Sequence, residues 1–351
     1  MISSCSAVSS ATEERSSKPF PALMVFGDST VDVGMNTYYP TIVRSNFALY
    51  GRGYQGGKST GRFTDGCTVM TSLSLGLRNS QIPYLHPNAT GEQILQGVSF
   101  ASGGSGYLKS TSSVLNVIPA FQQFEVFLKY KIKISDLVGR EKASSFFSEA
   151  LYFISAGSND FILNYLPINS VVKEQFLKVG EIPYSYHKLL ESSVLFCEIW
   201  THGGRNVLLV GFPPIGCLPA QITLFGSVGQ KGCVEDLNQI SIAYNNRLKA
   251  AIPKLESSLP GLRLLYGDAY TYIYEAFNNP SKYGYSQTRR GCCGSGLIAT
   301  VEFCNALTVG TCSDSSTYML FDSLHPTEPV YKAIAKLFFN GIVEYFGVPK
   351  N

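Results

Sequence analysis

Four short apolar runs, each ending at a glycine or a polar turn, constrain this chain more than any other feature. They occupy residues 22–27, 150–156, 206–211 and 262–267. Apolar runs of this length bounded by turn signals read as strands buried on both faces. A shorter run, 97–101, precedes the sequence SGGSG. Between the runs lie helical patterns, at 119–131, 188–201 and 236–255. Strands alternating with helices predict an α/β fold whose parallel sheet is covered by helices on both faces. In such sheets ligands gather beyond the carboxyl ends of the strands. Three of the runs deliver GDST, SGGSG and GSND to that edge.

The last segment fits the same architecture. From Pro329 onward, Val330, Ile334, Leu337, Phe338, Ile342 and Tyr345 fall at helical spacing. The polar stretch DSLHPTE, residues 322–328, leads into that helix. No internal repeat or low-complexity linker divides the chain, so residues 19–351 read as a single domain. Residues 1–18 read as a flexible tail or the remnant of a signal peptide whose apolar part is missing. Residues 270–320, rich in Gly, Cys, Tyr and Thr, read as a long disulfide-stapled excursion.

Charge excludes some partners. Only 15% of the 351 residues are charged, the net charge is +3, and no dense Lys/Arg run appears. Nucleic acid is therefore not expected as a partner. No apolar run approaches the ~20 residues of a membrane span.

Of nine cysteines, six crowd into the C-terminal half: Cys217, Cys233, Cys292, Cys293, Cys304 and Cys312. An even cluster in loop-like sequence predicts three disulfides and an oxidising compartment. A zinc site fits less well, because there is no CxxC and no nearby histidine. Cys5, Cys67 and Cys197 are left over. Asn88-Ala89-Thr90 is a glycosylation sequon, which agrees with secretion to the extracellular space or cell wall.

A serine hydroxyl becomes a nucleophile only with a base in reach and a third group to orient the base. Four histidines are present. His86, His187 and His202 sit in loop-like or helix-end contexts and read as structural. His325 follows Asp322 by three residues in DSLHP, so one carboxylate can hold Nδ1–H and leave Nε2 for a serine. The candidate serine is Ser29, displayed after the first apolar run. Acyl transfer also needs donors aimed at a developing oxyanion. SGGSG supplies unobstructed backbone N–H groups, and GSND supplies the Asn159 amide. Two motif matches are decoys. GRGYQG (51–56) and GKSTG (57–61) lack the strand before and the helix after that a dinucleotide fingerprint or a nucleophile elbow requires.

FGDS near the start, GVSFASGGSG after it, GSND mid-chain and DSLHP near the end together resemble the four signature blocks of the GDSL esterases and lipases, within the SGNH hydrolases. FGDSTVDVG, STGRFTDG, GFPPIGCLP, RRGCCGSG and HPTEPVY resemble the plant branch in particular. The resemblance runs from about residue 19 to 346. It implies a three-layer α/β/α fold, flavodoxin-like, with a five-stranded parallel sheet. It implies a nucleophile at Ser29, an Asp322–His325 pair, and an oxyanion hole formed by the N–H of Ser29, the N–H of Gly103 (or its neighbour Gly104) and the amide of Asn159. It pairs Cys217 with Cys233, and Cys292 or Cys293 with Cys304 or Cys312. No cofactor or metal is implied. Relatives usually carry Asn where this chain has Met35 and Ser99, and Trp where it has Phe321; none of these is a catalytic position. The activity so implied is hydrolysis of carboxylic esters: lipid, cutin-like polyester, acetylated glycan or phenolic ester. An acyltransferase using the same groups, or a catalytically weak binding protein on this scaffold, are the alternatives.

Overall fold

The computed structural model describes residues 20–73, 81–166 and 194–347. The N-terminal tail with Cys5, His187 and the first residues of the helix expected at 188–201 lie outside that set.

Four strands lie side by side in one parallel sheet: β1 (Leu23–Gly27), β2 (Leu151–Ser155), β3 (Asn206–Val210) and β4 (Arg263–Gly267). Each is one of the expected apolar runs with its ends trimmed. In register, Val25 pairs with Phe153, Phe153 with Leu208 and Leu208 with Leu265. Paired residues of a parallel ladder point to the same side, and side chains alternate along each strand. One face therefore carries Val25, Phe153, Leu208 and Leu265, and the other carries Phe26, Ile154, Leu209 and Tyr266.

Six longer helices flank the sheet or its connections: α1 (Ala120–Val138), α2 (Arg140–Glu149), α3 (Val194–Thr201), α4 (Glu235–Ser258), α5 (Tyr270–Asn278) and α6 (Glu328–Phe346). Helix α1 covers the Phe26 face, with Phe127 centred 5.7 Å from Phe26 and 5.9 Å from Tyr152. Helix α4 lies on the same face, its Lys249 ammonium 4.5 Å over the Tyr266 ring. Helix α6 covers the opposite face, where Phe338 sits 5.8 Å from Phe153. This is the expected three-layer α/β/α arrangement. On α6 the buried stripe is Val330, Ile334, Phe338 and Ile342; Leu337 and Tyr345 belong to its exposed flank.

The strand count departs from expectation. The sheet has four strands among the described residues, not five. Residues 97–101 do run beside β1, donating Phe100 N–H to the Val25 carbonyl (2.8 Å) and accepting from Val25 N–H at Val98 (3.2 Å), but their one bridge to β1 is Val25 with Ser99. Two causes shorten the ladder. Gly97 has φ +90°, and a Cβ there would lie 2.0 Å from the Leu23 carbonyl oxygen, so the chain approaches β1 out of strand conformation. Ser99 also exchanges bonds with the 82–84 segment. The segment still lies on the side of β1 opposite β2. The chain order reverses at β1, which makes the end of β1 the switch point of the sheet.

Residues 270–320, the expected stapled excursion, begin with the nine-residue helix α5. The remainder is closed by Cys292–Cys312 and Cys293–Cys304, while Cys217–Cys233 braces the entry to α4. All three pairs fall within the implied pairing, and with these six cysteines in disulfides they are not metal ligands. Cys67 is also disulfide-bonded. Among the described residues no helix is long and apolar enough to cross a membrane.

Candidate active site

The turn that ends β1 is built to present Ser29. Gly27 has φ +144°, and a Cβ there would lie 1.9 Å from the Ser155 carbonyl oxygen, so only glycine lets β1 pass β2 at this point. The next residue, Asp28, folds the turn. Its Oδ1 accepts from the N–H (3.0 Å) and the hydroxyl (2.7 Å) of Thr30, and its Oδ2 from Ser158 (3.2 Å). Burial pushes the Asp28 carboxyl up despite these donors. Ser29 is left at the apex, 8% exposed, with its N–H making no hydrogen bond among the described residues.

His325 and Asp322 arrive from the loop before α6. His325 Nε2 lies 2.8 Å from Ser29 Oγ, and His325 Nδ1 lies 2.7 Å from Asp322 Oδ2. The three-residue spacing works because the chain turns over the carboxylate: Asp322 Oδ1 accepts from the N–H groups of Leu324 (2.8 Å) and His325 (2.7 Å). Complete burial by itself would raise the Asp322 carboxyl. The adjacent His325 and the donors around it outweigh burial and hold it below the ordinary carboxylate range. Phe63 lies against the imidazole, ring centres 5.2 Å apart.

The candidate oxyanion donors divide. Asn159 follows β2 and shares a cavity wall with Ser29 and His325. It spends one amide hydrogen on the Ser105 carbonyl (2.9 Å), which leaves the other. Of the two candidate glycines, Gly103 donates its N–H to Asp32 Oδ2 at 2.9 Å. The adjacent Gly104 N–H has no acceptor among the described residues. The cavity beside Ser29, Asn159 and His325 holds about 100 Å³ and is lined largely by apolar side chains, Phe212, Ile273 and Phe338 among them.

The other described histidines are elsewhere. His86 Nδ1 accepts from Asn88 N–H (3.0 Å), and His202 lies 3.6 Å from Glu198. Ser59 of GKSTG donates its hydroxyl to the Tyr50 carbonyl (2.8 Å) and has no base beside it. Met35 packs in the core, and the polar work falls to Asn36, which bonds the Val43 and Gly103 carbonyls through Nδ2. Ser99 donates to the Val31 carbonyl at 3.3 Å.

Three supporting residues were not singled out by sequence reasoning. Asp32 holds Gly34, Met35 and Gly103 by their N–H groups. Gln123, on α1, accepts from Gly27 N–H and donates to the Gly27 carbonyl, both at 2.8 Å. Tyr50 donates to Asp322 Oδ2 at 2.7 Å. Each is a polar residue in an ordinary local pattern, and only full burial distinguishes it. The one local signal is the D of FGDSTVD for Asp32.

Comparison with known proteins agrees with this geometry. The family model described as GDSL-like Lipase/Acylhydrolase matches residues 23–338. A GDSL esterase/lipase of Arabidopsis thaliana is 40% identical over 95% of this chain and 92% of its own length. A second, from the same plant, is 39% identical over 90% of this chain and 89% of its own. The GDSL esterase/lipase APG of Arabidopsis thaliana is 38% identical over 90% and 89%. With a match that spans strand β1 to helix α6, the chain belongs to the GDSL-like lipase/acylhydrolase family.

Proposed function

We propose that this protein is a secreted carboxylic ester hydrolase acting through Ser29, His325 and Asp322. The observation that carries the reading is the unbroken chain of contacts from Ser29 Oγ to His325 Nε2 (2.8 Å) and from His325 Nδ1 to Asp322 Oδ2 (2.7 Å). Ser29 Oγ attacks the ester carbonyl carbon while His325 Nε2 takes its proton. Asp322 fixes the imidazole tautomer and stabilises the imidazolium. The carbonyl oxygen, now an oxyanion, meets the N–H of Ser29, the free amide hydrogen of Asn159 and an N–H of the Gly103–Gly104 pair. As the tetrahedral centre collapses, the alcohol leaves with the proton from Nε2. Water then attacks the acyl-enzyme, giving its proton to Nε2, and Ser29 is regenerated with release of the acid.

The apolar cavity suits the acyl part of the substrate. An engineered cavity of ~150 Å³ takes one benzene, so about 100 Å³ suits a short acyl chain. Transfer of the acyl group to an alcohol would use the same residues, with the alcohol replacing water in the second half. The disulfides, three of them between described residues, and an exposed Asn88 in its sequon support an oxidising, extracellular setting.

Replacing Ser29 by Ala tests the reading. The variant should fold normally and lose hydrolysis of p-nitrophenyl acetate by at least about 10³-fold, since a residual 10³–10⁴ over water is all that binding and oxyanion donors supply in such sites. Activity near that of the unaltered protein would remove Ser29 from the reaction.

A further inference from the structure

The GRGYQG and GKSTG stretches, dismissed as motifs, lead to a second layer of the site. Tyr50 precedes them and is fully buried. Its backbone is fixed by the Ser59 hydroxyl on its carbonyl. Its own hydroxyl donates to Asp322 Oδ2 (2.7 Å) and accepts from Val301 N–H (2.9 Å). Val301 belongs to the loop closed by Cys293–Cys304 and has φ +48°, which is strained for a β-branched residue. Its neighbour Thr300 donates a second, longer bond to Asp322 Oδ2 (3.2 Å). Cys292 and Cys293 donate their N–H groups to the carbonyls of Leu320 and Phe321, immediately before Asp322. Tyr50, Phe321, Cys292, Cys293 and Cys304 form one small buried cluster. The stapled loop, Tyr50 and the acidic member of the site are thus one packed unit.

We propose that the Tyr50 hydroxyl, held by the Val301 N–H of the loop closed by Cys293–Cys304, is a positioning residue that orients the Asp322 carboxylate and shares the charge of the oxygen that faces His325. The inference rests on the proposed roles of Ser29, His325 and Asp322. A phenol that donates to Asp322 Oδ2 draws negative charge from the same oxygen that receives His325 Nδ1–H. Burial, then the charge of Asp322, push the Tyr50 phenol far above its ordinary value, so it stays a donor at every working pH. Besides Tyr50, the titratable groups facing this pair are Asp28 on the β1 turn and Tyr331 on α6. The hydrogen bonds onto Asp322 come instead from His325, Tyr50, Thr300 and the Leu324 and His325 amides. The strain at Val301 is local to the contact it makes, which is where strain is stored when it serves a site.

Tyr50→Phe deletes one oxygen and keeps the ring packing. Without that donor, Asp322 holds the His325 imidazolium more tightly, and the acid limb of the kcat/KM profile, which reports the free enzyme's base, moves to higher pH. The expected result with p-nitrophenyl acetate is a kcat lower by about tenfold, below the ~10²–10⁴-fold contributed by a group that transfers the proton itself. KM should be unchanged and the acid limb displaced upward. Thr300→Val, which removes the longer of the two hydroxyl bonds, should move the limb the same way by a smaller amount. It also serves should Tyr50→Phe fail to fold. An acid limb that stays in place in the folded variants overturns the inference. If Ser29→Ala is inert while Tyr50→Phe behaves as the parent, only this inference fails. If Ser29→Ala remains active, the reading beneath it fails.

Discussion

Asp32 takes no part in the proposed chemistry, yet its carboxylate gathers three N–H groups, from Gly34 (2.7 Å), Met35 (2.6 Å) and Gly103 (2.9 Å). It ties the turn after Ser29 to the glycine loop that flanks it. Burial pushes its carboxyl up to about 6 against the pull of those donors, and Asp160 is pushed to about 6 for the same reason. A folded value above the unfolded one (~3.9) means that the native chain binds this proton more readily between about pH 4 and pH 6. The contribution of each group to stability is thus fully present below about pH 4 and lost as pH rises toward 6. Asp322 acts in the opposite sense: its folded value is lowered, so its contribution is present above the ordinary carboxylate range and lost as pH falls through it. Asp32→Asn should lower stability by about 1–3 kcal/mol at neutral pH, because an amide cannot accept from all three donors. It should also flatten the fall in stability between pH 4 and 6. Urea unfolding at several pH values would show both. An unchanged pH slope would contradict this account of Asp32.

At the scale of elements, the end of β1 is held from a helix far along the chain. Gln123 of α1 pairs both backbone groups of Gly27 and reaches Ser105 Oγ (3.1 Å) and the Ile118 carbonyl (3.0 Å). It joins the Ser29 turn, the glycine loop and α1 at one fully buried point. Gln123→Met preserves volume but strands a buried N–H and several carbonyl or hydroxyl acceptors, each costing about 1–3 kcal/mol. The expected loss is about 2–4 kcal/mol in urea unfolding, with lower esterase activity; a loss under about 0.5 kcal/mol would show that the contact is dispensable. Element positions were largely legible in the sequence, since a buried parallel strand is an unbroken apolar run whatever it packs against. All four runs became strands for that reason. The 97–101 segment was over-read because its apolar pattern is that of a strand, while its backbone path is set by Gly97 and by competition for Ser99. Helix α5 was missed because it lies in sequence dominated by loop residues on its C-terminal side. The Ser29, Asp322 and His325 grouping was readable because spacing and residue type carry it. The bond from Gly103 N–H to the Asp32 carboxylate, 71 residues earlier, was not legible, because nothing local marks it. Tyr50 and Gln123 escaped for the same reason: their partners are distant, and the residues themselves are unremarkable in pattern.

At the scale of the whole molecule, the sheet and the stapled C-terminal excursion have different duties that meet at one place. The sheet delivers Ser29 at its switch point, and the excursion, through Cys292 and Cys293 beside Leu320 and Phe321, backs the segment that brings Asp322 and His325. Cys292, Cys293, Cys304 and Cys312 hold a loop with little sheet or helix of its own against the acidic end of the site. The account stands or falls on Ser29 being the activated nucleophile. The most direct measurement treats the folded protein with a fluorophosphonate and maps the adduct by peptide mass spectrometry. The predicted result is a single adduct on the peptide containing Ser29, formed in step with loss of ester hydrolysis and absent in His325→Ala. An active enzyme that carries no adduct, or carries it on Ser59 or another residue, would contradict the account.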